Sequence, residues 1–213
     1  MPTEKSYKIR TKYRNLFLRV SKGHFATGHS HINYYIDVTT QKTRLSEAMA
    51  VAKELVSYYN TSTIVDTVLC LDGTEVIGTC LANELTKGAY VNLNAHQTIY
   101  VVTPEHTAGS QIIFRDNILP SIAGKHVLIL AASVTTGYTA QAAIEAIKYY
   151  NGHVAGVCSI FALVDECMGY PVRSIFDPKD LQDYETHPSH DCPICKKGTR
   201  IDALVNSFGY SKL

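Results

Sequence analysis

Residues 133–139, Ser-Val-Thr-Thr-Gly-Tyr-Thr, gather four aliphatic hydroxyls and a phenol around one glycine. The apolar run Val127 to Ala132 leads straight into them. A stretch with Ala140, Ala143, Ile144 and Ile147 on one helical face follows at once. A strand, a hydroxyl/Gly turn and a helix N-terminus in that order make an anion site. Backbone N–H groups point outward, the helix dipole favours negative charge, and threonine hydroxyls add donors. Ser133, Val134, Thr135, Thr136, Gly137, Tyr138 and Thr139 are therefore the candidate phosphate-binding residues. Helix capping alone is the competing use for Thr135, Thr136 and Thr139.

Three further constellations carry chemistry. Asp72-Gly73-Thr74-Glu75 is an acidic turn between an apolar run and a helical pattern. Its carboxylates can hold Mg²⁺ through water, or serve as turn residues and a helix N-terminal acid. His187, His190, Cys192 and Cys195 are four possible zinc ligands within nine residues. A Cys-x-x-Cys turn with nearby histidines can bind Zn²⁺, act as a redox pair, or be a plain turn. His24, His29 and His31 can bind a metal or titrate near neutral pH, or form a loop of partly exposed histidines.

The elements that must position these groups alternate along the chain. Tyr13, Leu16, Phe17 and Val20 predict a helix over Tyr7–Val20, ended near Gly23. Ile32–Val38 reads as a strand. Leu45–Tyr59 reads as a helix with Leu45, Met49, Ala52, Leu55, Val56 and Tyr59 on one face and Thr43 or Ser46 as cap. Ile64–Leu71 is a buried-type strand, and Ile77–Lys87 a helix closed by Gly88. Tyr90–Leu93 and Thr98–Val102 are short strands, and residues 103–123 a long connection. The strand into Ser133 comes next, then a helix to Tyr150 stopped at Asn151-Gly152, and a strand over His153–Val164. Such alternation predicts an α/β fold with a mainly parallel sheet flanked by helices. Ligands of these sheets bind at the carboxyl ends of the strands, so the turns after Leu71, Val102, Leu130 and Val164 share one rim.

Composition narrows the class. The chain has 213 residues, 46% hydrophobic and 18% charged, with net charge +1. That fits one large domain and gives no general attraction to nucleic acid or a membrane surface. The first 20 residues are basic and contain no apolar stretch long enough for a signal peptide or a membrane span. Six cysteines, four of them scattered singly, point to a reducing cytoplasm rather than a disulfide framework.

On these residues the chain resembles the orotate phosphoribosyltransferases over most of its length. Gly124 to Thr139 resembles the family's phosphate-binding loop and carries most of the likeness. Phe25 to Asp37 resembles its N-terminal segment, which places Tyr34 and Tyr35 beside the base. In an alternating strand one of the two must face the core. Asp72, Gly73 and Thr74 stand at its pyrophosphate loop, and residues 103–117 at its mobile catalytic loop. The resemblance implies a phosphoribosyltransferase-type, Rossmann-like fold over residues 1–213. Residues 1–40 would be a small N-terminal hood on the base side, 41–170 the α/β core and 171–213 a C-terminal extension. It also implies Mg²⁺, a small-molecule phosphoribosyl or nucleotide ligand, and a homodimer.

The departures fall on functional positions. The acidic pair that takes the ribose hydroxyls in the family is Ala131-Ala132 here, and a vicinal diol finds no side-chain acceptor there. Residues 103–114 contain no Lys or Arg to neutralise a diphosphate leaving group, and Glu105 would repel one. Glu166 follows the last core strand where the orotate enzymes have an Arg that grips the substrate carboxylate. This argues against orotate as the base. The sequence is therefore read as a phosphoribosyltransferase-like protein holding a phosphate ester at Ser133–Thr139. The alternatives are a non-catalytic nucleotide- or phosphosugar-binding regulator, and a zinc- or thiol-dependent protein centred on Cys192 and Cys195.

Overall fold

The structure, a computed structural model, describes residues 6–10, 13, 16–59, 61, 63–87, 93–94, 98–109 and 111–213. The chain opens with strands β1 (Tyr7–Arg10), β2 (Phe17–Ala26) and β3 (Ser30–Asp37). Helices α1 (Thr39–Thr43) and α2 (Leu45–Leu55) lead to β4 (Thr67–Cys70), α3 (Glu75–Thr86) and β5 (Tyr100–Val102). A small hairpin of β6 (Glu105–His106) and β7 (Ile112–Ile113) precedes β8 (His126–Val134), α4 (Tyr138–Tyr149) and β9 (His153–Ala162). Then come β10 (Glu166–Cys167), β11 (Tyr170–Phe176), β12 (Thr186–Pro188), α5 (Pro193–Lys196), β13 (Ala203–Asn206) and β14 (Gly209–Lys212).

The chain divides into two compact units. One is Gln41–Asp177; the other combines Met1–Thr40 with Pro178–Leu213. In the larger unit the sheet order is β10-β11-β9-β8-β4-β5. All its pairings are parallel except β10 with β11. This is the α/β, mainly parallel architecture expected. Val127 to Leu130 are fully buried, as are Val68 and Leu69 beside them. Strands covered on both faces read as such continuous apolar runs. Ala140, Ala143, Ile144 and Ile147 are buried at 2% exposure or less, so α4 lays the expected face on the sheet. It stops where Asn151 takes a left-handed φ of 62° and the Gly152 N–H returns to the Ile147 carbonyl at 2.8 Å.

Helix α2 is rotated from expectation. Its buried face is Ala48, Val51, Ala52 and Leu55, while Leu45 and Met49 are exposed. Both stripes have helical spacing, and small alanines let the helix approach its neighbours closely. Its N-cap is Arg44, with no side-chain capping bond, so neither Thr43 nor Ser46 caps it. Close approach also governs α3. A Cβ at Gly78 would lie 2.3 Å from the Cys70 sulfur of β4.

In the smaller unit the sheet order is β12-β3-β2-β13-β14, with β1 also on β2, and only β13 on β2 is parallel. The helix expected over Tyr7–Val20 is thus two strands. Leu16, Leu18 and Val20 are buried at every second position, a strand period present in the same residues that suggested a helix. Pairing with β1 and β3 selects the strand. Phe25, Ile32, Ala203 and Val205 form one buried cluster here, with Tyr35 and Tyr184 against it. Residues 90–92 of the Tyr90–Leu93 strand, and Gly88 as a helix stop, lie outside the described residues.

Candidate functional site

In the larger unit β8 runs past the last residue that pairs with β4. Cys70 pairs with Leu130, whereas Ala131, Ser133 and Val134 pair only with β9. The strand therefore includes Ser133 and Val134, and the turn proper is Thr135 to Gly137. Val134 is buried, Thr135 half-buried, and Ser133, Thr136, Tyr138 and Thr139 are exposed. Gly137 is the N-cap of α4 at φ 82°, a left-handed conformation suited to glycine, and no side chain caps the helix there. The first turn holds no acid. The N-cap place is thus taken by Gly137 and not by Thr135, Thr136 or Thr139, and a helix N-terminus at the end of a strand is the setting in which anions bind.

The Asp72-Gly73 turn follows β4 on the same rim. Both residues are left-handed, with φ of 58° and 75°. The Asp72 carboxylate accepts a hydrogen bond from the Ala132 backbone N–H. Burial pushes the Asp72 carboxyl above its usual range; that bond, Lys42 and His106 pull it back in part. Lys42 also donates from Nζ to the Asp72 carbonyl at 2.7 Å. Thr74 is fully buried and donates to the Leu71 carbonyl at 2.8 Å, with the Leu130 carbonyl 3.1 Å away. Its hydroxyl fastens the turn to β8 and is not offered to a ligand. Ala131 and Ala132 are buried at 1% and 6% exposure.

Sequence reasoning missed Lys42 and His106 as neighbours of Asp72. Lys42 lies 30 positions away on a different element, and no local motif reports that. In the 103–117 segment, of which Ser110 lies outside the described residues, Arg115 is held by Glu105 through Nε–Oε2 at 2.7 Å and a second contact. Its charge is therefore already engaged.

In the smaller unit Tyr34 is buried at 4% exposure, under Lys22 with Nζ 5.7 Å from the ring centre. Tyr35 is half-buried, its ring 6.1 Å from Phe25 and 5.2 Å from Tyr210. The base-side role of this pair rests on the sequence resemblance alone.

The same unit brings Cys192 and Cys195 together with His24 and His31. His187 is half-buried against Glu185, His190 and His29 are exposed, and none of the three joins the cluster. The four candidate ligand atoms all lie within 4.8 Å of one another. His24 Nε2 is 3.2 Å from His31 Nδ1, 3.6 Å from the Cys192 sulfur and 3.7 Å from the Cys195 sulfur; Cys195 is 3.3 Å from His31. His24, His31 and Cys192 are buried and Cys195 is exposed. Burial, and then His24, lower the affinity of His31 for a proton. The histidine cluster and the Cys-x-x-Cys were each visible locally. Their meeting spans more than 160 positions, which spacing along the chain does not report.

No protein-family profile matches the chain. The orotate phosphoribosyltransferase of Caldicellulosiruptor bescii is 32% identical over 82 residues, 37% of this chain and 40% of that protein. The chain thus matches less than half the length of such a relative. Among solved structures, the orotate phosphoribosyltransferase of Mycobacterium tuberculosis H37Rv superposes with TM-score 0.54 at 19% identity, covering 77% of this chain and 92% of the other. UMP synthase of Leishmania donovani gives TM-score 0.54 at 18% identity, covering 76% of this chain and 34% of the other. No helix among the described residues is long and apolar enough to cross a membrane. The chain has the phosphoribosyltransferase fold and is similar, over part of its length, to orotate phosphoribosyltransferases.

Proposed function

We propose that this phosphoribosyltransferase-like protein binds the phosphate of a phosphoribosyl compound or nucleotide at Ser133–Thr139. The observation that carries this reading is the left-handed Gly137 that opens α4 directly at the end of β8. N–H groups of α4 and hydroxyls of Thr135, Thr136 and Thr139 would hold the ester oxygens. Asp72 and Gly73 would face a diphosphate, with Lys42 supplying positive charge beside the turn and the buried Thr74 holding the turn in place.

Transfer would need Mg²⁺. Asp72 and Glu75 are the carboxylates of the turn, and Asp72 keeps lone pairs beyond the one given to Ala132. Mg²⁺ takes one or two carboxylates together with water and substrate phosphates, so this donor set fits it when a diphosphate is present. Bound there, the ion would neutralise charge on the leaving diphosphate. A homodimer in a reducing cytoplasm completes the reading; all six cysteines are free.

Two observations favour a non-catalytic regulator as the second reading. Ala131 and Ala132 offer the ribose hydroxyls no acceptor, and each lost bond to a carboxylate costs roughly 1.5–3 kcal/mol. Arg115 is paired with Glu105 rather than free for a leaving group. Calorimetric titration with phosphoribosyl pyrophosphate and Mg²⁺, beside nucleoside monophosphates, separates the readings. Micromolar binding of phosphoribosyl pyrophosphate supports transfer and justifies a screen of bases. Binding of a monophosphate alone supports the regulator, and binding of neither refutes both.

A further inference from the structure

We infer that His24, His31, Cys192 and Cys195 bind one zinc ion at a closed, structural site in the unit built from residues 1–40 and 178–213. This site is independent of the phosphate loop and of the reading given to it.

Four of the six ligand-to-ligand distances match a tetrahedron around one ion, and the other two are within 4.8 Å. Zinc bonds of about 2.05 Å to nitrogen and 2.3 Å to sulfur place tetrahedral ligand atoms about 3.4 Å apart for N–N and about 3.6 Å for N–S. The observed separations are 3.2 Å between the imidazole nitrogens and 3.3, 3.6 and 3.7 Å between nitrogen and sulfur. Two thiolates and two imidazoles in a tetrahedron select Zn²⁺ among the common divalent ions. A two-iron cluster would put the imidazole pair and the thiolate pair on different metals. The short N–S separations here fit a single ion. Four protein ligands fill its coordination and leave no open position for catalysis.

The outer shell is built for the same purpose. His24 Nδ1 sits 3.1 Å from the Thr199 carbonyl and 3.2 Å from the Arg200 carbonyl. Carbonyls only accept, so Nδ1 carries the proton and Nε2 turns a lone pair into the cluster. The Asp202 carboxylate accepts the His24 backbone N–H at 2.8 Å. A register shift between Lys22 and Phe25 places His24 at an irregularity in β2. Cys192 stands at the N-cap position of α5 without a side-chain capping bond, Pro193 opens the helix, and Gly198 at φ 76° closes the turn with its N–H on the Cys195 carbonyl at 2.8 Å. The metal would fasten β2 and β3 to the C-terminal segment. Metal binding to such a set of ligands contributes directly to folding free energy.

The test is the zinc content of the full chain, purified with its thiols reduced and passed over a weak chelator. Mass spectrometry should find one zinc per chain in the wild type, and near none in Cys195→Ser and in His31→Ala. A His187→Ala/His190→Ala variant should keep its zinc in full. Cobalt exchange into the wild type guards against variants that merely unfold. It should give the intense visible bands and the thiolate charge-transfer band of a tetrahedral S₂N₂ site. The inference is overturned by a wild type that holds no zinc and takes none from added ZnCl₂, or by a Cys192–Cys195 disulfide formed in place of metal binding. Loss of zinc in the His187/His190 variant, or a weak octahedral cobalt spectrum, would overturn it equally.

Discussion

The Asp72 carboxylate accepts the backbone N–H of Ala132, one residue past the point where β8 loses β4 as a partner. A side chain from the turn thus completes the ladder that the shorter strand leaves open. It also sets an acid against the position where orotate phosphoribosyltransferases, by resemblance, carry one of their own. Burial outweighs the favourable contacts and raises the proton affinity of Asp72 in the folded state. For an acid so shifted, stability is fullest below its unfolded pKa of about 3.9 and is lost as pH rises through the folded value. Asp72→Asn keeps an acceptor for Ala132 without the buried charge. Its melting temperature should match or exceed that of the wild type at pH 7, and the advantage should shrink as the pH is lowered toward 4. A clear loss at pH 7 would mean that the charge itself holds the turn.

Gly137 tests the phosphate loop. A Cβ there meets only the Cys167 sulfur at 3.6 Å, an ordinary contact, so space is not the obstacle. The obstacle is φ of 82°, which costs a bulky L-residue about 1–2 kcal/mol. Gly137→Val should release that strain by re-forming the turn and lose binding of ribose 5-phosphate in calorimetry. Gly137→Asn, which tolerates the left-handed region, should keep most of it. Equal binding by the valine variant would show that the loop is no anion site.

What the sequence disclosed divides along the range of the interactions. Strand β8, the Gly137 turn and α4 are contiguous, and each signals itself by run, turn residue or period. Their existence and order are therefore legible, although the strand reaches two residues farther than its apolar run suggests. Leu16 to Val20 carry a helical and a strand period at once, and only the neighbouring strands decide between them. The partnership of Lys42 with Asp72, and of His24 and His31 with Cys192 and Cys195, joins positions far apart in the chain. Neither has a local signature, because tertiary contacts alone create it.

Glu105 neutralises Arg115, the first cation after residue 102. Both side chains are exposed, so the strength of the pair depends on ionic strength. Glu105→Gln should free the guanidinium and tighten binding of inorganic diphosphate by roughly 3- to 10-fold at low ionic strength, fading as salt is added. Titrations in low and high salt check both parts. An unchanged affinity at low salt would place Arg115 out of reach of the ligand.

Gly78 and Cys70 set how closely α3 lies on β4. The added methyl of Gly78→Ala would sit 2.3 Å from the Cys70 sulfur, inside any real contact distance. Cys70 is fully buried, so neither partner can swing into solvent. The variant should lose about 1–3 kcal/mol in urea unfolding, the usual cost of overpacking a core. Removing the sulfur makes room for the new methyl, so Gly78→Ala/Cys70→Ala should lose less than the two single variants combined. A coupling above about 0.5 kcal/mol in that cycle is the expected result. Strict additivity would mean that helix and strand move apart instead, and that the contact does not determine their spacing.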